Sequence, residues 1–177
     1  MRKVKTATAL VIVVLLLFAG CAKKENPPPK VDLHTATITG NLEAVEQHIK
    51  AGTDLNEKDM YGSTPLIIAA TLGKNDVALA LIEAGADLNI PNNDGSTPLI
   101  TAAFLCRTEI VRALLDKGAD KTIKNKAGRT ALDAVSRPFE DVKAIYDSLG
   151  ESLGPLGLDL DYTYIKTTRP KIAEMLE

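Results

Sequence analysis

The chain has 177 residues, 45% of them hydrophobic and 25% charged, with a formal net charge of −2. Without Arg2, Lys3 and Lys5 of the leader, 18 of the 21 basic residues remain against 23 acidic ones, a balance near −5. No basic patch stands out along the chain either, which argues against nucleic acid as a partner. The two cysteines, Cys21 and Cys106, are too few for a disulfide framework.

The first 20 residues stand apart from the rest of the chain. The basic start leads into a mostly apolar run, Ala7 to Ala19, shorter than the roughly 20 residues a helix needs to cross a bilayer. It reads as the apolar part of a secretory signal. Ala19-Gly20 directly before Cys21 resembles a bacterial lipoprotein signal, with Phe18 where that family usually has leucine. The resemblance implies that the Cys21 thiol carries a diacylglyceryl group and that cleavage leaves Cys21 as the first residue. Multiple acyl chains would then anchor the protein. Ala22, where an aspartate would direct otherwise, implies the outer membrane in a cell that has two. The alternative is an ordinary cleaved signal with a free thiol at Cys21. Residues 21–30 form the lipidated cysteine and a polar tether, AKKENPPPK. Pro27 to Pro29 stiffen it, so that it lifts the domain by about 25–30 Å.

From Val31 the chain repeats itself. A partial copy carries Leu33-His34-Thr35-Ala36 and AGTDLN; full copies run Asp59 to Pro91 and Asn92 to Lys124, and another begins at Asn125 and drifts after Ala134. Gly62, Gly95 and Gly128 recur every 33 residues, as do Gly52, Gly85 and Gly118. Two series sharing one period mark a structural repeat. Thr64, Thr97 and Thr130 sit where a helix starts and can cap orphan N–H groups, and Pro65 and Pro98 suit the first helical position. Leu66, Ala69 and Ala70 give one helix an apolar face. Val77, Leu81 and Ile82 recur in the second helix as Ile110, Leu114 and Leu115. Gly85 and Gly118 terminate that second helix.

The motifs TPLIIA, TPLITA and GADLN resemble the ankyrin repeat, a β-turn finger followed by two antiparallel helices. The resemblance covers about residues 31–150. It implies an all-α repeat solenoid of about four repeats, with atypical first and last units and residues 151–177 as a C-terminal loop and capping helix. Of the family's usual histidines only His34 remains, and the resemblance implies hydrogen bonds from it between adjacent loops. His48 is expected to interact with its own helix end alongside Lys50.

The resemblance also implies that binding uses the finger tips and the ends of the first helices. Carried over, the finger residues are Met60, Tyr61 and Ser63, then Asn93, Asp94 and Ser96, then Lys126, Ala127 and Arg129. The helix-end residues are Ile38 and Thr39, Thr71 and Leu72, and Phe104 and Leu105. Ile38, Leu72, Phe104 and Leu105 make an apolar line beside Met60 and Tyr61, with Asp94 and Arg129 at its rim. The line reads either as an interface core or as side chains folded inward between repeats.

In the tail, Thr168 and Pro170 suggest a helix start, with Ile172, Met175 and Leu176 on its apolar face. That helix either covers the open end of the last repeat or binds a partner itself. Gly150-Glu151-Ser152-Leu153-Gly154 fits the nucleophile elbow of hydrolases, but that motif needs a preceding strand and a later histidine, and His34 and His48 both lie upstream. No metal-ligand spacing or phosphate-binding loop occurs, so no cofactor is expected. Cys106 replaces the short-loop glycines Gly40 and Gly73. It is either a tolerated small residue or a partly exposed thiol that pairs with a partner.

Together these readings describe a monomeric, non-catalytic lipoprotein that binds an envelope or secreted protein at the periplasmic face. The alternatives are an immunity protein that blocks a secreted toxin, and a structural envelope scaffold.

Overall fold

The computed structural model describes residues 29–177. Cys21, the leader and most of the tether lie outside the described residues. The described chain forms nine α-helices: α1 Leu33–Thr39, α2 Leu42–Ala51, α3 Pro65–Leu72, α4 Asn75–Glu83, α5 Pro98–Phe104, α6 Thr108–Asp116, α7 Ala131–Ser136, α8 Phe139–Leu153 and α9 Tyr162–Leu176. A single 3-10 turn, Gly154–Leu156, comes directly after α8.

The starts of the first helices are set by local chemistry. The hydroxyls of Thr64, Thr97 and Thr130 accept from the N–H groups of Ile67, Ile100 and Asp133, each three residues on. Asp32 does the same for Thr35 at the head of α1. Asp133 reaches back to the Thr130 N–H and completes a reciprocal cap. At the other end of the repeat, Gly52, Gly85 and Gly118 have φ of 73°, 84° and 79°, a left-handed backbone that glycine adopts without steric cost.

The helices form two rows. The inner row places α1 against α3, α3 against α5 and α5 against α7; the outer row places α2 against α4, α4 against α6 and α6 against α9. One apolar core runs between them, built on Leu66, Leu81, Leu99, Ile110 and Leu114, with alanines 36, 69, 70, 102 and 103 fully or nearly buried where the inner helices meet. Each helix pair leaves an apolar face that only its neighbours can cover, which is how a repeat stack gains stability.

The fourth repeat departs from this plan. The helix packed beside α7 is α9, while α8 lies between them in sequence and occupies a different place. The helix expected to start at Thr168 begins instead at Asp161, whose carboxylate caps the N–H groups of Thr163 and Tyr164. Pro170 therefore lies inside α9.

A finger-tip surface and a covered groove

Asp59, Asn92 and Asn125 open the three fingers. Each side-chain oxygen accepts from the N–H groups two and four residues on: Tyr61 and Ser63, Asp94 and Ser96, Ala127 and Arg129. Successive fingers are also joined, by Asn93 N–H to Tyr61 O at 3.0 Å and Lys126 N–H to Asp94 O at 2.9 Å. These Asx turns were not anticipated from sequence, although the 33-residue step of Asp59, Asn92 and Asn125 could have revealed them.

The fingers present their predicted residues unequally. Met60 is 84% exposed and Tyr61 67%, so the first finger carries a large apolar pair into solvent. Asn93, Asp94, Lys126 and Ala127 are exposed as well, Ser96 and Arg129 are half-buried, and Ser63 is buried. Asn93 donates from its side chain to Met60 O, which braces the first finger against the second.

The apolar line of the inner helix ends is not open. Leu72 and Leu105 are 7% and 3% exposed, and Ile38, Thr71 and Phe104 are half-buried, leaving only Thr39 exposed. Residues 139–160 cover that end. Phe104 stacks on Tyr146 with ring centroids 4.5 Å apart, and the Tyr146 hydroxyl donates to Phe104 O. Leu158 is buried against Ile68 and Leu72, with Ile38, Leu149, Leu153 and Leu160 packed around it. The reading of this line as an exposed interface is thus corrected, and the cover is the protein's own chain, since the apolar side of α8 needs a surface to bury.

Arg169 ties the cover to the stack. It is 3% exposed and donates to the Tyr146 hydroxyl, to Ala134 O and to Arg137 O. Pro138, four residues after Ala134, has no N–H to offer that carbonyl. The guanidinium supplies that missing donor at the end of α7 and a second one to Arg137 O.

Cys106 has φ of 56° and is 1% exposed, so the short loop keeps the left-handed turn of Gly40 and Gly73. Its thiol packs among Leu105, Val142, Tyr146 and Ile165, and burial pushes its pKa up to about 11. Of the two readings of Cys106, the partly exposed, pairing thiol is the one overturned. Arg107, the next residue, fills the space above Gly73, where an added Cβ would lie 2.8 Å from its Cζ.

Several carboxyls owe their shifts chiefly to local hydrogen bonds. The carboxyls of Asp32 and Asp133 are held low, chiefly by the Thr35 and Thr130 backbone N–H groups at helix starts. Asp147 is held low chiefly by its hydrogen bond from Lys143. His34 bonds to Glu57 O, linking two loops. His48 lies in the last turn of α2 beside Lys50 and is buried, with Nδ1 on the Thr53 hydroxyl just past the helix end and Nε2 on Val31 O at 2.7 Å. Ser152 lies in the last turn of α8, with no strand before it. Among the described residues no group of three or more His, Cys, Asp or Glu could hold a metal ion, and no helix is long and apolar enough to cross a membrane.

Residues 33–125 match the family model for ankyrin repeats (3 copies). The chain belongs to the ankyrin-repeat family. It is also similar to protein phosphatase 1 regulatory subunit 27 of Homo sapiens and of Mus musculus, each 42% identical over 53 residues, or 30% of this chain. The match spans about a third of the length of those relatives, 34%.

Proposed function

We propose that this ankyrin-repeat protein is a non-catalytic lipoprotein that holds a partner protein on its finger side at the periplasmic face of the bacterial envelope. The observation that carries the binding reading is the exposed pair Met60 and Tyr61, at 84% and 67%, on a finger fixed by its Asx turn and by its neighbour. An aromatic anchor on a rigid support loses little conformational entropy on binding, which favours it as an interface centre. Asp94, Lys126 and Arg129 supply a polar rim, and the covered inner helix ends leave the fingers as the open part of this surface. The relatives' name describes a regulatory subunit, a role exercised on another protein. The leader and Cys21 support the anchor: the thiol receives the lipid, and residues 22–30 space the repeats from the bilayer.

The test is capture from the host's envelope extract by the full chain, wild type against Met60→Ser with Tyr61→Ala. One stoichiometric protein should be retained and its affinity fall at least about 25-fold in the variant, the loss of one aromatic hot spot of about 2 kcal/mol. Unchanged capture by a folded variant overturns the finger surface. For the anchor, Cys21→Ser should move the chain from the membrane to the soluble fraction and remove the diacylglyceryl mass. A chain that stays in the membrane fraction refutes lipidation at Cys21.

A further inference from the structure

The cover over the inner helix ends is held in two different ways. Its first half is pinned: Tyr146 is stacked and hydrogen-bonded to Phe104, Arg169 donates to Tyr146, Tyr162 donates to Asp147 at 2.6 Å, and Lys166 pairs with Glu140 at 2.6 Å. Its second half, residues 148–160, is not. The hydrogen bonds of its turn, Gly157 N–H to Gly154 O and Leu158 N–H to Leu153 O, are internal, and among the described residues none joins this half to the repeats. Apolar contact seats Leu149, Leu153, Leu158 and Leu160 on Ile38, Ile68 and Leu72, and Asp159 adds a charge attraction to Arg107 without a hydrogen bond.

The glycines of this half mark it further. Gly157, at φ of 93°, needs to be glycine. Gly150 and Gly154 do not: both are helical. A Cβ at Gly154 would meet nothing within 4 Å, and one at Gly150 would make an ordinary contact of 3.6 Å with Leu160. Neither space nor φ explains them, and their physical effect is to weaken the end of α8.

We propose that residues 148–160 are a glycine-hinged flap, and that lifting it opens the Ile38, Ile68 and Leu72 patch to a leucine-bearing segment of a partner protein. The flap shows the chemistry of that occupant: a short segment carrying leucines at the spacing of Leu149, Leu153, Leu158 and Leu160. The occupant rests on the reading that this protein binds another; the opening of the flap does not.

Hydrogen exchange on the full chain in detergent tests the opening. Amides of residues 150–160 should exchange at least tenfold faster than those of residues 140–147. Gly150→Ala with Gly154→Ala should slow the flap alone by about fivefold, the helix-propensity gain of about 1 kcal/mol at the helix-interior position 150 converted at about 1.4 kcal/mol per decade. Equal protection of the two halves, or no slowing in the double variant, overturns the flap. The patch is tested with a labelled peptide copying residues 148–160. It should bind a Leu158→Asp chain at least tenfold more tightly than wild type, and Leu72→Arg in that background should abolish binding. Equal or absent binding to both chains overturns the patch as a docking site, whatever the finger-tip variants show.

Discussion

Replacing Arg169 with methionine tests whether the buried guanidinium holds the fourth repeat together. Methionine keeps most of the apolar stem and removes three hydrogen bonds, to the Tyr146 hydroxyl, Ala134 O and Arg137 O. Tyr146 still donates to Phe104 O, so the two carbonyls at the end of α7 bear the loss. An unsatisfied buried carbonyl costs about 1–3 kcal/mol, giving a gross penalty of about 2–6 kcal/mol. Against this, methionine avoids burying a charge that no carboxylate among its hydrogen-bond partners offsets, and buried ions often return part of their apparent worth when replaced by apolar groups. The net expectation is a loss of about 3 kcal/mol, which in a domain of this size lowers the melting midpoint by roughly 6–12 °C. Arg169→Lys should recover less than half, because one ammonium cannot reproduce the fork that spans α7 and Tyr146. Urea and thermal unfolding followed by far-UV circular dichroism read both variants. A methionine variant within about 0.5 kcal/mol of wild type would show that desolvation cancels the hydrogen bonds.

Gly62 and Gly128 occupy equivalent turns with φ of 71° and 73°, but a Cβ at Gly62 would lie 2.9 Å from the Asn93 backbone nitrogen whereas one at Gly128 meets nothing within 4 Å. Gly128→Ala should therefore cost only the left-handed backbone strain, about 1 kcal/mol, and Gly62→Ala at least about 1 kcal/mol more; equal unfolding midpoints would contradict the close finger packing. Asn92→Ala removes the acceptor for two N–H groups of the second finger and should cost about 1–2 kcal/mol in urea unfolding, while a neutral result would mean water replaces it fully. Burial raises the Cys106 pKa from 9.0 to about 11 and that of Tyr146 from 10.0 to about 12. The folded state thus favours both neutral forms, and the stability they contribute is complete below pH 9 and lost as pH rises toward 12. The urea midpoint should fall over that window, less so in Cys106→Ala at its lower end, and a flat profile would refute the burial argument.

The repeat was legible because its signals are local. A threonine cap and its N–H lie three residues apart, and a glycine at the end of a helix acts on its own φ, so Thr64, Thr97, Gly85 and Gly118 could be placed from sequence. The 33-residue period then stacked the units, since an apolar face repeated at fixed spacing has its own copy as partner. The finger residues Met60 and Tyr61 could be named for the same reason, as positions in a repeated turn.

What covers the inner helix ends was not legible. The apolar line Ile38, Leu72, Phe104 and Leu105 reads the same whether it meets solvent, a partner or its own chain. The amphipathic pattern of α8 says that one side is buried without saying where. The deciding contacts join residues far apart, Tyr146 to Phe104 across 42 positions and Cys106 to Ile165 across 59. Likewise Arg169, an arginine in a tail helix, reveals nothing in sequence of the Ala134 carbonyl that Pro138 leaves without a donor. Sequence alone determined the repeat, its caps and its turns, where cause and effect lie within one unit. Only the tertiary structure decided that α9 completes the fourth repeat and that residues 139–160 close the groove, because both depend on which distant apolar surfaces meet.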